Sequence, residues 1–387
     1  MTQSFHPPAR TLMGPGPSDV NPRILEALSR PTIGHLDPAF ITLMDDVKRL
    51  LQFAFRTRNA LTLPVSAPGS AGMECCFVNL VSPGDKVIVA QNGVFGGRMQ
   101  ENVERCDATA VLVKDDWGSP VDPQKVEDAI RANPDAKVLA FVHAETSTGA
   151  RSDAKTLCAL AQQHGLMTIV DTVTGLGGIE VDVDGWGADA VYSGTQKCLS
   201  CIPGLSPVTF SARAQEAIQK RSRKVQSWFL DMGLVMAYWG AGTQRAYHHT
   251  APINMLYGLH EALVILEEEG LEKAWARHLH HHRALAAGLA ALGIEFVVDE
   301  RYRLPQLNCV RLPAGVEDAP VRRKLLDEYN LEIGAGLGPL AGKVWRIGLM
   351  GYAANRTNVL FCLGALEALL GRSGAVSAAR SYYELTP

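Results

Sequence analysis

The chain lacks an excess of charge of either sign. Its 37 lysine and arginine residues nearly balance 40 aspartate and glutamate residues, which leaves a formal net charge of −3 over 387 residues. Proteins that bind nucleic acid or an anionic membrane surface carry clustered positive charge. We therefore expect neither kind of partner.

Hydrophobic runs of membrane-spanning length are also missing, and so are recognisable sorting signals. Residues 1–8 contain neither the basic segment nor the apolar segment of a secretory signal. Residues 384–387 do not contain a peroxisomal tripeptide. The sequence predicts a cytoplasmic protein.

Cysteine does not occur in the dense pattern of a disulfide framework. The eight cysteines are scattered, and the C-x-x-C pair Cys198 and Cys201 has no second pair to complete a zinc site. The histidine-rich run 278–282 is flanked by arginines in a helix-favouring stretch, which favours a solvated helix face. We expect buried free thiols and no metal ion.

Short apolar runs alternate with helical patterns between residues 60 and 210. This alternation is typical of an α/β fold with a mostly parallel sheet covered by helices on both faces. The expected strands are 86–90, 109–113, 138–142, 167–170, 190–192 and 207–210, and the expected helices are 96–105, 123–131 and 154–164.

A different pattern begins after about residue 250, where long helical stretches precede a mixture of short strands and helices. The helical stretches are 254–268, 271–292, 319–329 and 357–370, and the short strands are 295–298, 307–310 and 344–347. We predict an N-terminal arm (1–20), a large domain (21–270) and a smaller α+β domain (271–387).

Two of the predicted strands lead to an acidic residue and a lysine. Ligands collect at the carboxyl ends of parallel strands, where Asp171 and Lys197 are expected. A lysine at a buried strand end loses its proton more readily and can form an imine. Pyridoxal phosphate forms such an imine, and an anion such as Asp171 keeps the ring nitrogen of this cofactor protonated. The alternative is a strand-end charge and a solvated loop lysine.

Three further features fit the same cofactor. The small-residue loop 66–74 opens a helix, so its free N–H groups can bind a phosphate, although glycine-rich helix starts also occur without a ligand. Phe95 can stack on a pyridine ring or belong to the core. Arg346, in an apolar strand, suits a substrate carboxylate or an internal ion pair.

Four segments together resemble those of one enzyme family. They are 13–17 (MGPGP), 193–197 (SGTQK), 247–250 (YHHT) and 338–348 (GPLAGKVWRIG). By these motifs the chain resembles the alanine/serine-glyoxylate aminotransferases, which are class V, fold-type I enzymes dependent on pyridoxal 5'-phosphate. The resemblance spans about residues 10–370 and implies transamination of alanine or serine with a 2-oxo acid, glyoxylate or pyruvate, by ping-pong half-reactions.

The resemblance also implies a role for each matching residue. Lys197 would form the aldimine with the cofactor and move a proton between substrate and cofactor. The other implied contacts are Asp171, Val173, Thr146 and Phe95 at the ring; Gly69, Ser70 and Gln196 at the phosphate; Tyr247 and Thr250 at the phosphate of the other subunit; and Arg346 with Gly16 at the substrate. Such a shared site implies a homodimer. Phe95 replaces the tryptophan of animal members, and Ser70 replaces a histidine found in some members.

Related proteins offer alternative interpretations. Ureidoglycine-glyoxylate aminotransferases carry Gln and Asn where this chain has His35 and Tyr247, so both positions favour the alanine/serine branch. Cysteine desulfurases typically have a histidine where Gln196 stands and a catalytic cysteine on a mobile loop, which we do not identify here. A non-catalytic protein on the same scaffold would be expected to lack Lys197 or its partners.

Overall fold

The protein, as a computed structural model, is described for residues 2–240 and 245–386. The strands are β1 (Thr11–Leu12), β2 (Leu61–Val65), β3 (Lys86–Gln91), β4 (Thr109–Lys114), β5 (Val138–Val142), β6 (Ala144–Glu145), β7 (Ala150–Arg151), β8 (Met167–Asp171), β9 (Ala190–Tyr192), β10 (Ser206–Phe210), β11 (Leu307–Arg311), β12 (Leu331–Glu332), β13 (Gly334–Ala335) and β14 (Val344–Gly348). The α-helices are α1 (Pro22–Leu28), α2 (Pro38–Phe55), α3 (Gly69–Leu80), α4 (Val94–Arg105), α5 (Pro123–Ala132), α6 (Ala154–Gln163), α7 (Val183–Trp186), α8 (Ala212–Gln219), α9 (Met232–Trp239), α10 (Ile253–Glu269), α11 (Leu271–Ala291), α12 (Asp318–Tyr329), α13 (Arg356–Leu370) and α14 (Ala375–Leu385).

The large sheet has seven strands in the order β2-β10-β9-β8-β5-β3-β4. The pairs from β9 to β4 are parallel, and β10 runs antiparallel to both of its neighbours. Every residue of β2, β5 and β10 is buried, as expected when helices cover both faces of a sheet. The α/β prediction with a mostly parallel sheet is therefore confirmed.

Sequence reasoning missed the edge strand β2. This strand contains Pro64, which has no N–H to donate and lowers the expectation of a strand. Proline is tolerated here because β2 pairs only with β10. Pro64 faces Pro207 of β10 in that pairing.

The second sheet is small and antiparallel, in the order β11-β14-β13. The expected strand at 295–298 is wrong, because only the bridge between Phe296 and Val310 forms there. The chain turns away soon afterwards, where the Asp299 side chain accepts from the N–H of Arg301 and caps a 3-10 helix.

The two largest hydrophobic cores of the described residues include buried residues of the large sheet and of the small antiparallel sheet, respectively. The first draws its buried residues from the stretch between Ala27 and Ala274, and the second from Met13 and the stretch between Ala284 and Tyr383. The N-terminal segment joins the second core through Met13, next to the parallel pairing of β1 with β12. The domain boundaries at residues 20 and 270 stay a prediction.

The histidine-rich run in α11 is not the solvated face that the sequence predicts. His278 and His282 are four residues apart, so they share a helix face, and both are buried. Nδ1 of His278 is 2.6 Å from the carbonyl oxygen of Ala274, and Nδ1 of His282 is 2.6 Å from Oδ1 of Asn308.

Across residues 2–240 and 245–386, no group of three or more histidine, cysteine or acidic residues is arranged to hold a metal ion. None of the helices in the same ranges is both long and apolar enough to cross a membrane. All eight cysteines are buried free thiols.

Candidate active site

Asp171 ends β8 and lies beside Tyr192, the last residue of the neighbouring strand β9. The Tyr192 hydroxyl donates to Oδ2 of Asp171 at 2.7 Å, and the N–H of Val173 donates to Oδ1 at 2.8 Å. Burial raises the pKa of Asp171 to about 6, and these two hydrogen bonds oppose the rise. Each carboxylate oxygen has more than one acceptor site, so Asp171 can still bind a cationic N–H group.

Lys197 lies in the loop that follows β9, and only 8% of it is exposed. Its Nζ donates to the carbonyl oxygen of Pro15. Ser18 fixes the same loop, because its N–H donates to the Gln196 carbonyl at 3.1 Å and its hydroxyl to the Lys197 carbonyl at 2.8 Å. The N-terminal segment thus holds the lysine in position.

Burial lowers the pKa of Lys197 to about 8, and the positive charge of Arg346 acts in the same direction. An ordinary lysine has a pKa of about 10.4. A larger share of Lys197 is therefore uncharged near neutral pH, which is the form that can act as a nucleophile or accept a proton.

Gly16 lies directly against the amine of Lys197. A Cβ atom at this position would be 2.5 Å from Nζ and 2.7 Å from Cδ of the lysine, and Gly16 has a φ of +99°. Both the space and the backbone conformation favour glycine. The resemblance implies that Gly16 lines the substrate pocket, and in the structure Gly16 lies next to Lys197.

Arg346 of β14 comes from the small sheet and is 7% exposed. Its Nε donates to the carbonyl oxygen of Ala335 at 2.7 Å, and Nη1 donates to that of Thr146 at 3.2 Å. A guanidinium has five N–H donors in a rigid plane, so three remain for a ligand. The side chain of Thr146 forms a hydrogen bond with Thr174.

The start of α3 forms a candidate phosphate site. No side chain caps this helix, so its first N–H groups can bind an anion. A Cβ atom on Gly69 would be 3.5 Å from Gly194 Cα and from a methyl group of Val173, so the helix start lies close to the lysine loop. Ser70 is the second residue of α3.

The side-chain amide of Gln196 lies against Gly194 of the lysine loop. Its Oε1 is buried without a hydrogen-bond partner in the described part of the chain, and it lies 2.8 Å from the position that a Cβ atom on Gly194 would take. An amide carries two donors beside its oxygen, and half a turn of the group exchanges them. Gln196 therefore fits a phosphate contact.

Phe95 is the second residue of α4 and is partly buried against the large core. Its N–H donates to Oε2 of Glu145 at 3.3 Å, and the guanidinium carbon of Arg98 lies 4.8 Å from its ring centroid. Sequence reasoning did not assign a role to Glu145, Arg98 or Tyr192. The register of β8 and β9 pairs Tyr192 with Asp171, but no sequence pattern indicates that its hydroxyl points to the carboxylate.

Tyr247 and Thr250 are both exposed at the surface of the protein. Tyr247 is 60% exposed. Its hydroxyl is 3.4 Å from that of Thr250, and its ring centroid is 5.1 Å from that of His35. The two residues form a surface pair that is open to another molecule.

A seven-stranded, mostly parallel sheet beside a small antiparallel one, with a lysine buried near the carboxyl edge, defines the class: this is the fold of the fold-type I enzymes that use pyridoxal phosphate. The chain belongs to the class-V aminotransferases, whose family model matches residues 29–353.

Relatives with different activities resemble the chain to a similar degree. It is 37% identical to the (S)-ureidoglycine-glyoxylate transaminase of Bacillus subtilis, with 95% of this chain and 92% of that protein covered. It is 39% identical to the alanine-glyoxylate aminotransferase of Oryctolagus cuniculus, with 91% and 90% covered. The crystal structure of alanine-glyoxylate aminotransferase from Nostoc sp. has a TM-score of 0.93 and 44% identity, with 96% and 97% covered. The chain is thus an aminotransferase dependent on pyridoxal 5'-phosphate.

Proposed function

We propose that this aminotransferase transfers the amino group of alanine or serine to glyoxylate or pyruvate in two half-reactions. The observation that carries the proposal is the pairing of a buried Lys197, whose pKa is lowered to about 8, with Arg346, whose charge contributes to that lowering. An amine and a guanidinium in the same buried site suit a small α-amino acid, whose amino and carboxylate groups are separated by one carbon.

The residues described above fit pyridoxal 5'-phosphate. Asp171 would hold the ring nitrogen, Thr146 the ring oxygen, and Val173 and Phe95 the two faces of the ring. Gly69, Ser70 and Gln196 would hold the phosphate. When bound, the cofactor supplies a protonated ring that withdraws electrons from the substrate α-carbon.

Lys197 handles the proton in this proposal. In one half-reaction its Nζ would accept the proton that leaves the substrate α-carbon, and in the other it would deliver a proton to the α-carbon of the new amino acid. A pKa of about 8 suits both directions near neutral pH, because a proton carrier works best when its pKa lies near the working pH. The carbonyl of Pro15 orients the amine for this task.

Arg346 orients the substrate. Two of its N–H groups are fixed by the carbonyls of Ala335 and Thr146, so the plane of the guanidinium is set before substrate binds. The remaining donors can form two parallel bonds to the substrate carboxylate, a geometry that lysine cannot reproduce.

The residue identities at two neighbouring positions favour the alanine/serine branch over ureidoglycine, as the resemblance implies. His35 and Tyr247, the two positions that distinguish the branches, lie with ring centroids 5.1 Å apart. A change at one position therefore bears on the other. Overall identity does not discriminate between the branches, since the two kinds of curated relative are 37% and 39% identical to this chain.

A desulfurase activity finds little support in the cysteines. That reaction needs an accessible thiolate, and all eight cysteines are buried. Burial raises the pKa of Cys309, next to Arg346 in the small sheet, to about 12. Its thiol is therefore protonated at neutral pH.

The exposed pair Tyr247 and Thr250 supports a homodimer with shared active sites. In this arrangement the pair reaches the phosphate of the partner's cofactor, as the resemblance implies. Closed twofold dimers are the commonest symmetric assemblies. The free thiols of the chain fit a reducing compartment, so we propose the cytoplasm.

A panel of donors and acceptors tests the proposal. The purified protein with added pyridoxal phosphate is incubated with alanine, serine or (S)-ureidoglycine, and then with glyoxylate or pyruvate. Turnover should be greatest with alanine or serine and absent in the Lys197→Ala control. Greatest turnover with (S)-ureidoglycine would overturn the donor assignment, and no turnover with any pair would overturn the whole proposal.

A further inference from the structure

Glu145 is a buried carboxyl group that the proposed chemistry does not use. Its Oε1 accepts from the N–H of Ser147 at 2.9 Å and from the Ser147 hydroxyl at 2.6 Å. Its Oε2 accepts from the N–H of Phe95 at 3.3 Å. Burial raises the pKa of Glu145 to about 7, while the bonds from Ser147 oppose the rise. Burying a carboxyl group is costly unless hydrogen bonds compensate.

The partners of Glu145 connect two parts of the candidate site. Helix α4 begins after Gly93, which has no side chain to cap it. The end of β6 and the residues after it cap the helix instead, because the N–H of Val94 donates to the Ser147 hydroxyl at 3.0 Å and that of Phe95 to Glu145. Two of the N–H groups that a helix start leaves free are thus bound from outside the helix.

Gly93 makes this close approach feasible. A Cβ atom there would overlap the carboxyl group of Glu145 and the hydroxyl of Ser147. The backbone at the start of α4 is therefore pressed against the carboxyl group, with no side chain between them. A shift of Glu145 would be passed on to the backbone of Phe95.

The same loop also reaches the substrate side of the site. The residue after Glu145 is Thr146, whose carbonyl accepts from Arg346. The charge of Glu145 raises the pKa of Arg346, against the lowering by burial. Glu145 therefore lies between the ring-stacking residue and the substrate-binding residue.

We propose that Glu145 is a positioning residue that holds Phe95 in place against the cofactor ring by fixing the first turn of α4. This inference rests on the proposed cofactor site. It makes the stacking contribution of Phe95 depend on a carboxyl group that need not touch the cofactor.

A double-mutant cycle on cofactor affinity tests this dependence. Pyridoxal phosphate is titrated into the apoproteins of wild type, Glu145→Gln, Phe95→Leu and the double variant, and the dissociation constant and absorption maximum are recorded. In Glu145→Gln the amide oxygen can accept from Ser147 only if the amide NH2 group faces the N–H of Phe95. Two hydrogen-bond donors then face each other, and the first turn of α4 should shift to separate them.

We expect Glu145→Gln to weaken binding by up to about tenfold, the value of one aromatic contact. Glu145→Gln should cause little further loss of cofactor affinity when Phe95 is already leucine, because both changes act on the same contact between Phe95 and the ring. The absorption maximum should move in the same direction in both single variants.

Asp153→Asn serves as the matched control. Asp153 caps α6, where its Oδ1 accepts from the N–H of Thr156 at 3.1 Å. This variant makes the same carboxylate-to-amide change at another helix start, and it should bind cofactor as wild type does. If Glu145→Gln does not fold, Ser147→Ala takes its place in the cycle, because it removes one donor to Glu145 and the acceptor for Val94.

The inference would be overturned if the losses in cofactor affinity of the two single variants added fully in the double variant. It would also be overturned if Glu145→Gln bound pyridoxal phosphate as tightly as wild type. A wild-type protein that binds no pyridoxal phosphate would instead overturn the proposed function. The two failures are therefore distinguishable.

Discussion

Replacement of Arg346 by lysine keeps the positive charge at the substrate site but removes the planar fork. Two of the five N–H groups of Arg346 are engaged with the carbonyls of Ala335 and Thr146, and the others are free for two parallel bonds to a carboxylate. An ammonium group can make one such bond at a time in this geometry. The loss of one charge-assisted bond costs about 1.5–3 kcal/mol.

That cost corresponds to a fall of roughly 10- to 150-fold in kcat/KM for alanine. The assay measures the half-reaction with alanine and with ethylamine, which lacks the carboxylate. Arg346→Lys should lower the rate with alanine and leave the rate with ethylamine close to that of wild type. Equal losses with both amines, or an unchanged kcat/KM for alanine, would refute the role of Arg346.

Other perturbations test separate parts of the account. The rate at which the apoprotein captures pyridoxal phosphate should rise with pH around a midpoint near 8, the pKa of Lys197. Arg346→Gln should move that midpoint upward because a nearby cation is lost. A wild-type midpoint near 10.4, the ordinary pKa of lysine, would contradict this. Mixing Lys197→Ala with Tyr247→Ala subunits should give more activity than either alone, because one hybrid site then has both residues intact; no gain would argue against a shared site. Burial lowers the pKa of His278 in the folded protein to about 4, whereas the pKa of histidine in an unfolded chain is about 6.5. Between these two pH values the unfolded chain binds more protons than the folded protein. The free energy of unfolding should therefore fall by up to about 3 kcal/mol as the pH drops from about 6.5 to about 4. Urea unfolding of His278→Gln should show a weaker dependence on pH, and equal slopes would refute the assignment.

The sequence predicted those parts of the fold that follow from local pattern. The parallel strands of the large sheet are short apolar runs, and their bounds agree with the structure to within one residue. Prediction from the sequence failed where the position of a segment in the sheet determines whether it forms a strand. The edge strand β2 tolerates Pro64 because it has one neighbour, and the segment at 295–298 leaves its neighbour after a single bridge.

The proposed site residues could be chosen from the sequence because the chemistry assigned to them is restrictive. The proposed roles of imine-forming amine, partner for a ring nitrogen and carboxylate clamp each need a particular residue type, which Lys197, Asp171 and Arg346 supply. The charges of Asp171 and Arg346 both act on the pKa of Lys197. Supporting residues such as Glu145 and Tyr192 act through hydrogen bonds whose direction depends on side-chain conformation. No spacing rule indicates such bonds before the fold is known.

The burial of His278 and His282 could not be predicted for the same reason. Polar side chains at helical spacing indicate a solvated face unless another element supplies partners. Here the N–H of Gly351 donates to Nε2 of His278 at 2.9 Å, and Asn308 pairs with His282. Both partners come from distant parts of the chain, so the local pattern carries no sign of them.

The central claim is that Lys197 is the residue that binds the cofactor covalently. The most direct measurement incubates the protein with pyridoxal 5'-phosphate, reduces it with borohydride and locates the modified residue by peptide mass spectrometry. The account predicts one dominant adduct, on Lys197, that disappears in Lys197→Ala. A dominant adduct on another lysine, or no adduct in the wild-type protein, would contradict it.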